Sequence, residues 1–325
     1  METILVTGGA GYVGSVLIPT LLLKGFRVKV IDLFLYGDNL QCHDNLLKLY
    51  GDIRDQNLME KALDNCDAVI HLACVSNDPS FDLNPKLGKS INYDSFRPIV
   101  EKAIKKKIKL FIYASSSSVY GLKNESEVTE ELSLNPLTDY SKYKAMCEDI
   151  LFSYDSNNFT PVVVRPATVC GYSPRQRFDL VVNLLTNQAW NKRKIKIFNG
   201  NQTRPNIHIK DMVDAYCSLL EADKTKINHA IFNVGCENYT LSEIGNMIKS
   251  KLGQDIITEE IFSNDNRSYK ISSKKIRNIL GIDCTFTISD AIDDLQKGFS
   301  SGLFQDSLNN SLYFNIKRMK EINLN

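Results

Sequence analysis

The chain has no excess of charge of either sign, no long apolar run, no paired cysteines and few histidines, and each absence removes a class of function. Thirty-nine Lys and Arg against 38 Asp and Glu leave a net charge of +1, which gives no electrostatic basis for nucleic acid or an anionic membrane as the main partner. The one basic run, Lys105-Lys106-Lys107, falls where a helix should end before a strand, and cations suit that end of the helix dipole. No apolar stretch approaches the roughly 18–20 residues that cross a bilayer, and a strand is expected almost from Met1, with no signal peptide before it. The eight cysteines (42, 66, 74, 147, 170, 217, 236, 284) contain no C-x-x-C pair. That argues against a zinc site or a disulfide framework and fits a reducing cytoplasm. The four histidines (43, 71, 208, 229) show no metal-ligand spacing, so no metal is expected. There is no internal repeat and no low-complexity linker.

What is present is an ordinary globular composition, 43% hydrophobic and 24% charged over 325 residues, enough for one large α/β unit and a smaller one. Short apolar runs at 4–7, 28–31, 47–50, 68–72, 110–114 and 162–165 alternate with helical patterns at 15–24, 56–63, 91–105 and 138–152. Near-continuous apolar strands separated by helices predict a doubly wound parallel sheet covered on both faces. The expected division is a nucleotide-binding unit over 1–166 and a smaller, mainly C-terminal substrate unit over 167–325. A late helix at 210–221 and strand at 230–234 return to the sheet, so about 206–236 belongs with the first unit. The tail 306–325 reads as either a short docking helix or a loose end.

The strongest local signal is Val6-Thr7-Gly8-Gly9-Ala10-Gly11-Tyr12-Val13-Gly14, between the first strand and the first helix. Glycines spaced G-x-x-G-x-x-G let backbone N–H groups approach a diphosphate, and the helix N-terminus adds partial positive charge. Asp32 ends the second strand eighteen residues after Gly14. Its carboxylate suits the two hydroxyls of an adenosine ribose and repels a 2′-phosphate. Leu33 and Phe34 follow, without an Arg, so the cofactor expected is NAD rather than NADP.

A second constellation follows the fifth strand, Tyr113-Ala114-Ser115-Ser116-Ser117-Ser118-Val119-Tyr120-Gly121. Some twenty residues later Tyr140 and Lys144 stand four apart, on one face of a helix. An ammonium beside a phenol favours the phenolate, which makes a general base near neutral pH. A serine hydroxyl at the end of the strand can bond the same substrate oxygen.

With these motifs in this order, the chain from Thr3 to about Gly281 resembles the extended short-chain dehydrogenase/reductase family, the nucleotide-sugar epimerases and dehydratases. The resemblance implies a Rossmann-type sheet and NAD contacts at Gly8, Gly11, Tyr12, Val13 and Gly14, with Asp32 on the ribose. Gly51-Asp52-Ile53-Arg54-Asp55 is similar to the adenine-contacting segment, which implicates Asp52 and Ile53. His71-Leu72-Ala73-Cys74 is similar to the end of the fourth strand, which implicates Leu72 and Ala73. Asn92, Ser115 and Thr168 match further cofactor positions. Ser116, Tyr140 and Lys144 occupy the catalytic places, with Tyr140 and Lys144 also touching the cofactor. Cys170 stands where a tyrosine is usual, a change expected to affect packing only. Arg204, in Arg204-Pro205-Asn206-Ile207-His208-Ile209-Lys210-Asp211, and Arg267 resemble the two arginines that hold a sugar-nucleotide diphosphate. The segment Ser173–Asn183 is similar to one in a branch acting on bacterial surface sugars, including GDP-linked heptoses. It adds Arg175, Arg177 and Asn183, with Ser117, as substrate contacts. The family also implies a homodimer formed by the helices at 91–105 and 138–152.

The reaction expected is 4-epimerisation of a sugar nucleotide by transient oxidation at C4, in bacterial surface-polysaccharide synthesis. Two outcomes share its first half: a 4-dehydrogenase that releases the 4-keto sugar, with a GDP-heptose as one candidate, and a 4,6-dehydratase. A non-catalytic binding protein is the reading from another class, and the intact Ser, Tyr and Lys set speaks against it. Dehydratases of the family carry Asp-Glu directly after the catalytic Ser or Thr, where this chain has Ser117 and Ser118. A hydroxyl of pKa far above neutral does neither acid nor base work well there.

Overall fold

The computed structural model describes residues 1–123, 125–154, 158–262 and 268–324. Its strands are β1 (Thr3–Thr7), β2 (Arg27–Asp32), β3 (Leu46–Tyr50), β4 (Ala68–His71), β5 (Leu110–Ala114), β6 (Thr160–Pro166), β7 (Thr168–Cys170), β8 (Lys194–Phe198), β9 (Thr203–His208), β10 (Ala230–Val234), β11 (Glu237–Thr240) and β12 (Ile257–Ile261). Seven of them form one sheet in the order β10-β6-β5-β4-β1-β2-β3, every pair parallel. The chain winds outward from β1 in both directions, so the order reverses between β1 and β4. Open α/β sheets bind ligands at the carboxyl ends on either side of such a reversal.

Alternation along the strands divides the core. Ile4, Val6, Ile70, Ile112 and Val164 pack on one face, while Leu5, Val69, Phe111 and Val163 pack on the other, as a period of two requires. All five residues of β1 and all four of β4 are buried, which is why these segments read as unbroken apolar runs. A separate core joins the helices Val181–Lys192, Leu241–Leu252 and Ile288–Ser300 through Leu185, Ile244 and Ile292. Beside it lie a three-stranded sheet β11-β9-β7 and the pair β12-β8. Among the described residues no helix is long and apolar enough to cross a membrane. The basic run closes the helix Phe96–Lys105, with Lys106 paired to Asp64 at 2.6 Å.

Two local features depart from the sequence reading, and a third decides between alternatives it left open. The expected helix at 91–105 begins with a wide turn, in which the Ser95 N–H reaches the Ser90 carbonyl at 3.2 Å, and regular α-helix starts at Phe96. Such π-type bulges cluster at functional sites, and this one carries Asn92. Cys236 and Cys284 form a disulfide across 48 residues, against the expectation of none. No spacing rule reveals it, because the fold makes the encounter: the buried Asp211 carboxylate accepts the Thr285 and Phe286 N–H groups at 3.0 Å each and brings the loop with Cys284 to the end of β10. The tail left open above is a docked helix, Asn315–Glu321, with Met319 buried in the core around Leu5 and Leu324 packed against it.

The helix Asp139–Phe152 is fixed by a buried ion pair. Glu148 and Arg165 are each 3% exposed at the side chain and meet at 2.6 Å. Ser115 donates a short hydrogen bond to Glu148, and Arg165 donates to the Tyr120 hydroxyl at 2.8 Å. Tyr120 in turn donates to Asn233 on β10 at 2.8 Å. Removing one member of such a pair strands the other charge away from water. Glu148→Ala is expected to lower unfolding stability by about 3–5 kcal/mol, read from the midpoint of a urea titration at constant slope; a loss under about 1 kcal/mol would contradict the role given to the pair.

Candidate active site

A cleft of about 650 Å³ lies over the carboxyl ends of β1, β2, β4 and β5 and extends to Arg204 and Tyr269. At one end is the glycine turn. Gly8 has φ +71°, and a Cβ there would stand 2.7 Å from the Ala73 backbone. A Cβ on Gly14 would fall 2.3 Å from the Gly9 carbonyl oxygen. Only glycine lets β1 turn into the helix Gly14–Leu23 while the loop after β4 packs this closely. A Cβ on Gly11 would meet only the Gly8 oxygen, at 3.1 Å, so this part of the turn is bare backbone.

Asp32 closes β2 beside this turn. Its two oxygens accept the Ala10 N–H at 3.0 Å and the Phe34 N–H at 2.8 Å. Burial pushes the carboxyl up, and those backbone N–H groups pull it back. Each oxygen keeps a further lone pair, as the two hydroxyls of a ribose require. Ile53, Leu72 and Ala73 line the same end, as does Asp52, which holds Arg54 at 2.7 Å.

The other constellation comes from β5 and the helix Asp139–Phe152. Thr138 caps that helix by accepting the Ser141 N–H at 3.2 Å, so its first turn points Tyr140 at the cleft. Tyr140, Lys144 and Glu148 follow at intervals of four along one face. The Lys144 ammonium donates to the Ala114 carbonyl at 2.6 Å and lies 5.9 Å from the centre of the Tyr140 ring. Burial pushes the Tyr140 phenol up, as do Cys74 and Asp78; the Arg177 charge and a hydrogen bond with Ser116 pull it down. Ser116 also accepts the Ser118 N–H at 3.1 Å, which aims the strand end. Ser117 is buried, 3.3 Å from the Tyr269 hydroxyl.

The loop 171–183 is wired to the glycine turn. The Tyr12 hydroxyl donates to the Gly171 carbonyl at 2.7 Å, and Ser173 donates to the Tyr12 carbonyl at 2.7 Å. Asn183 is fully buried and donates to Tyr12 at 3.0 Å and to the Arg177 carbonyl at 2.9 Å. It supports the loop from behind and does not line the cleft. Asn92 is likewise behind the wall: its amide takes the Val75 N–H at 2.8 Å and gives to the Val75 carbonyl at 3.0 Å. Both were expected to touch ligand; their amides are bonded within the walls of the cleft. The Ser115 side chain also turns inward, to Glu148. Arg177 lines the cleft but is held by Asp179 at 2.8 Å and by Ser76 at 3.1 Å. Arg204 and Thr168 line its far part, with Arg204 bonded to Gln202 at 2.8 Å. Cys170 is buried in the smaller core, where it donates to the Ile207 carbonyl at 3.4 Å. Arg267 lies outside the described residues.

Sequence reasoning missed the contributions of Tyr36, Asn315, Met319 and Leu324 to the cleft, which no motif signals. It also missed His71. Thr7 accepts the Ala73 N–H at 3.3 Å and bonds His71 Nδ1 at 2.8 Å.

A doubly wound parallel sheet with a glycine-lined turn at its reversal point, and an acid at the end of the next strand, defines a Rossmann-type dinucleotide-binding architecture. The chain belongs to the NAD dependent epimerase/dehydratase family, whose pattern matches residues 4–235. It is 28% identical over 300 residues to a UDP-glucose 4-epimerase of Lactobacillus helveticus, covering 86% of this chain and 91% of that one. It is 34% identical over 250 residues to an uncharacterized protein of Sinorhizobium fredii, covering 75% of this chain and 59% of that one. Among solved structures, the UDP-glucuronic acid 4-epimerase of Bacillus cereus in complex with UDP-glucuronic acid and NAD superposes with a TM-score of 0.83 at 27% identity, covering 91% of this chain and 99% of that one. The fold is the Rossmann type and the cofactor is NAD.

Burial, with the Lys144 charge added, pushes the His71 imidazole down to about 3. Because the unfolded ring titrates near 6.5, only the unfolded chain gains this proton as pH falls from about 6.5 toward about 3. The His71 share of stability is therefore complete above that window and lost through it. The His71 Cε1–H resonance is expected to stay flat from about pH 8 to pH 5, and a titration near the ordinary value of about 6.5 would contradict the assignment.

Proposed function

We propose that the protein is a sugar-nucleotide 4-epimerase in which Tyr140 is the general base. The observation that carries the reading is the corner where Ser116, Tyr140 and Lys144 meet the cleft with Ser117 and Ser118 beside them and no Asp-Glu pair. NAD, when bound, would supply reversible hydride exchange with C4 and the positive charge of its oxidised ring. Gly8, Gly11, Tyr12, Val13 and Gly14 supply the turn that receives it, Asp32 its ribose contact, and Asp52, Ile53, Leu72, Ala73 and Thr168 further walls. The phenol of Tyr140, held up by burial, needs added positive charge before it can take the proton of the 4-hydroxyl; Lys144 supplies part of it. Ser116 donates to the sugar oxygen as that proton leaves. Ser117, Arg177 and Arg204 are the substrate contacts proposed among the described residues. Rotation of the keto sugar in the cleft presents its other face, and the proton then returns from Tyr140.

The substrate sugar is proposed to serve bacterial surface-polysaccharide synthesis in the cytoplasm, on the resemblance of the 173–183 segment. The protein is proposed to act as a homodimer through the outer faces of the helices Phe96–Lys105 and Asp139–Phe152, where Met146 is 40% exposed. Light scattering at micromolar concentration is expected to give twice the chain mass of 36.7 kDa; a single-chain mass would overturn this.

Tyr140→Phe keeps the ring and removes the base, so turnover is expected to fall by about 10²-fold or more with NAD content unchanged. Activity within a few-fold of the parent would remove Tyr140 from the chemistry. Proton NMR of the product separates the reactions: an intact C6 methylene with altered H4 couplings is expected. A new C6 methyl doublet would make the enzyme a dehydratase, and an accumulating 4-keto sugar a dehydrogenase.

A further inference from the structure

Arg175 is a buried cation with unused donors. Its side chain lines the cleft, the residue is 4% exposed, and its guanidinium lies 3.7 Å from the centre of the Tyr36 ring. Nη2 donates to Asn315 Oδ1 at 2.6 Å, but Nε and Nη1 are buried without an acceptor in hydrogen-bonding geometry. The neighbouring carboxylates bond other donors, and neither reaches Nε or Nη1. Asp179 accepts Nε and Nη2 of Arg177 at 2.8 and 3.1 Å and the Asn315 N–H at 3.1 Å, while Asp32 accepts Ala10 and Phe34. A charged group left this way inside a protein is costly unless an anion joins it.

The surroundings say which anion. Tyr36 and Leu35 follow Asp32 at the end of β2, beside the glycine turn. The C-terminal helix that carries Asn315 is pinned there, because Arg318 donates to the Leu35 carbonyl at 2.6 Å and Asn315 donates to Ser76 at 2.9 Å. Met319, one turn on, shares a core with Ile53. Planar guanidinium groups hold phosphate oxygens in pairs, with strength and direction.

We propose that Arg175 is a ligand of the NAD diphosphate and that Asn315 aims it, which makes the C-terminal segment part of the cofactor site. The bare glycine turn then meets one side of the diphosphate and Arg175 the other. Arg175 was expected to reach the sugar nucleotide, and this assignment moves it to the cofactor. Burial and the Arg177 charge push the Arg175 group down to about 10, so it remains a cation at neutral pH. The Arg175 charge is also felt at Asp32. The proposal rests on NAD as the cofactor and is independent of which reaction the sugar undergoes.

The diphosphate could belong to either ligand, and the test separates the two. Full-length protein and the variants Arg175→Met and Asn315→Ala, each stripped of cofactor, are titrated calorimetrically with NAD and separately with uridine diphosphate. Arg175→Met is expected to weaken NAD by about tenfold or more and Asn315→Ala by a smaller factor in the same direction, with uridine diphosphate unchanged in both. Weakening of uridine diphosphate alone would assign Arg175 to the substrate and overturn the proposal. No change for either ligand would make the arginine a packing residue, and equal loss for both would mean general damage; each overturns it. Asn315→Ala keeps the charge and the core, so it carries the test if Arg175→Met folds poorly. Its effect on NAD is read without turnover, so failure here leaves the Tyr140 result standing.

Discussion

The contact on which the rest depends is the buried pair of Glu148 and Arg165. It joins the helix Asp139–Phe152 to β6 and, through Ser115 and Tyr120, to the end of β5 and to β10. Three residues proposed to share one corner, Ser116, Tyr140 and Lys144, come from two segments that are otherwise joined by apolar packing and by the hydrogen bond from Lys144 to the Ala114 carbonyl. Apolar contacts are strong but non-directional, and a displacement of about 1 Å is enough to damage catalysis. An ion pair in which every nitrogen of Arg165 is engaged adds direction. Its position one helical turn beyond Lys144 puts the anchor next to the chemistry without adding a second titrating group to the cleft.

The charge balance of the cleft follows from the same economy. Asp179 neutralises Arg177, Arg54 neutralises Asp52, and Asp32 is satisfied by backbone. Lys144 and Arg175 line the same cleft bonded to neutral oxygens, the Ala114 carbonyl and the Asn315 amide. His71 sits close enough to Lys144 to matter, and it is held neutral, so the site does not gain a further charge as pH falls toward 5.

The sheet was legible because its central strands β1, β4 and β5 are buried on both faces and read as near-continuous apolar runs. The glycine turn was legible because Gly8 and Gly14 are required by backbone contacts that a Cβ would violate. Tyr140 and Lys144 stood out in the sequence through helical spacing taken together with the glycine turn, Asp32 and the serine run. The misses share a cause, which is that they depend on distant pairings. Cys236 finds Cys284 only after Asp211 has folded the intervening loop back. Asn183 and Asn92 match motif positions yet spend their amides on backbone, because a buried amide must be satisfied by whatever lies nearest. The tail has too few apolar positions to announce a helix, and its role is visible only where Asn315 meets Arg175, 140 residues away in sequence.

The central claim is that oxidation and reduction occur at one carbon of one bound sugar. The most direct measurement uses a sugar nucleotide deuterated at C4 and run to equilibrium in ordinary water. The account predicts an epimer that keeps its deuterium at C4, since the same hydride leaves and returns inside a closed site. Loss of the label to solvent, or its appearance on a free reduced cofactor beside a released keto sugar, would contradict it.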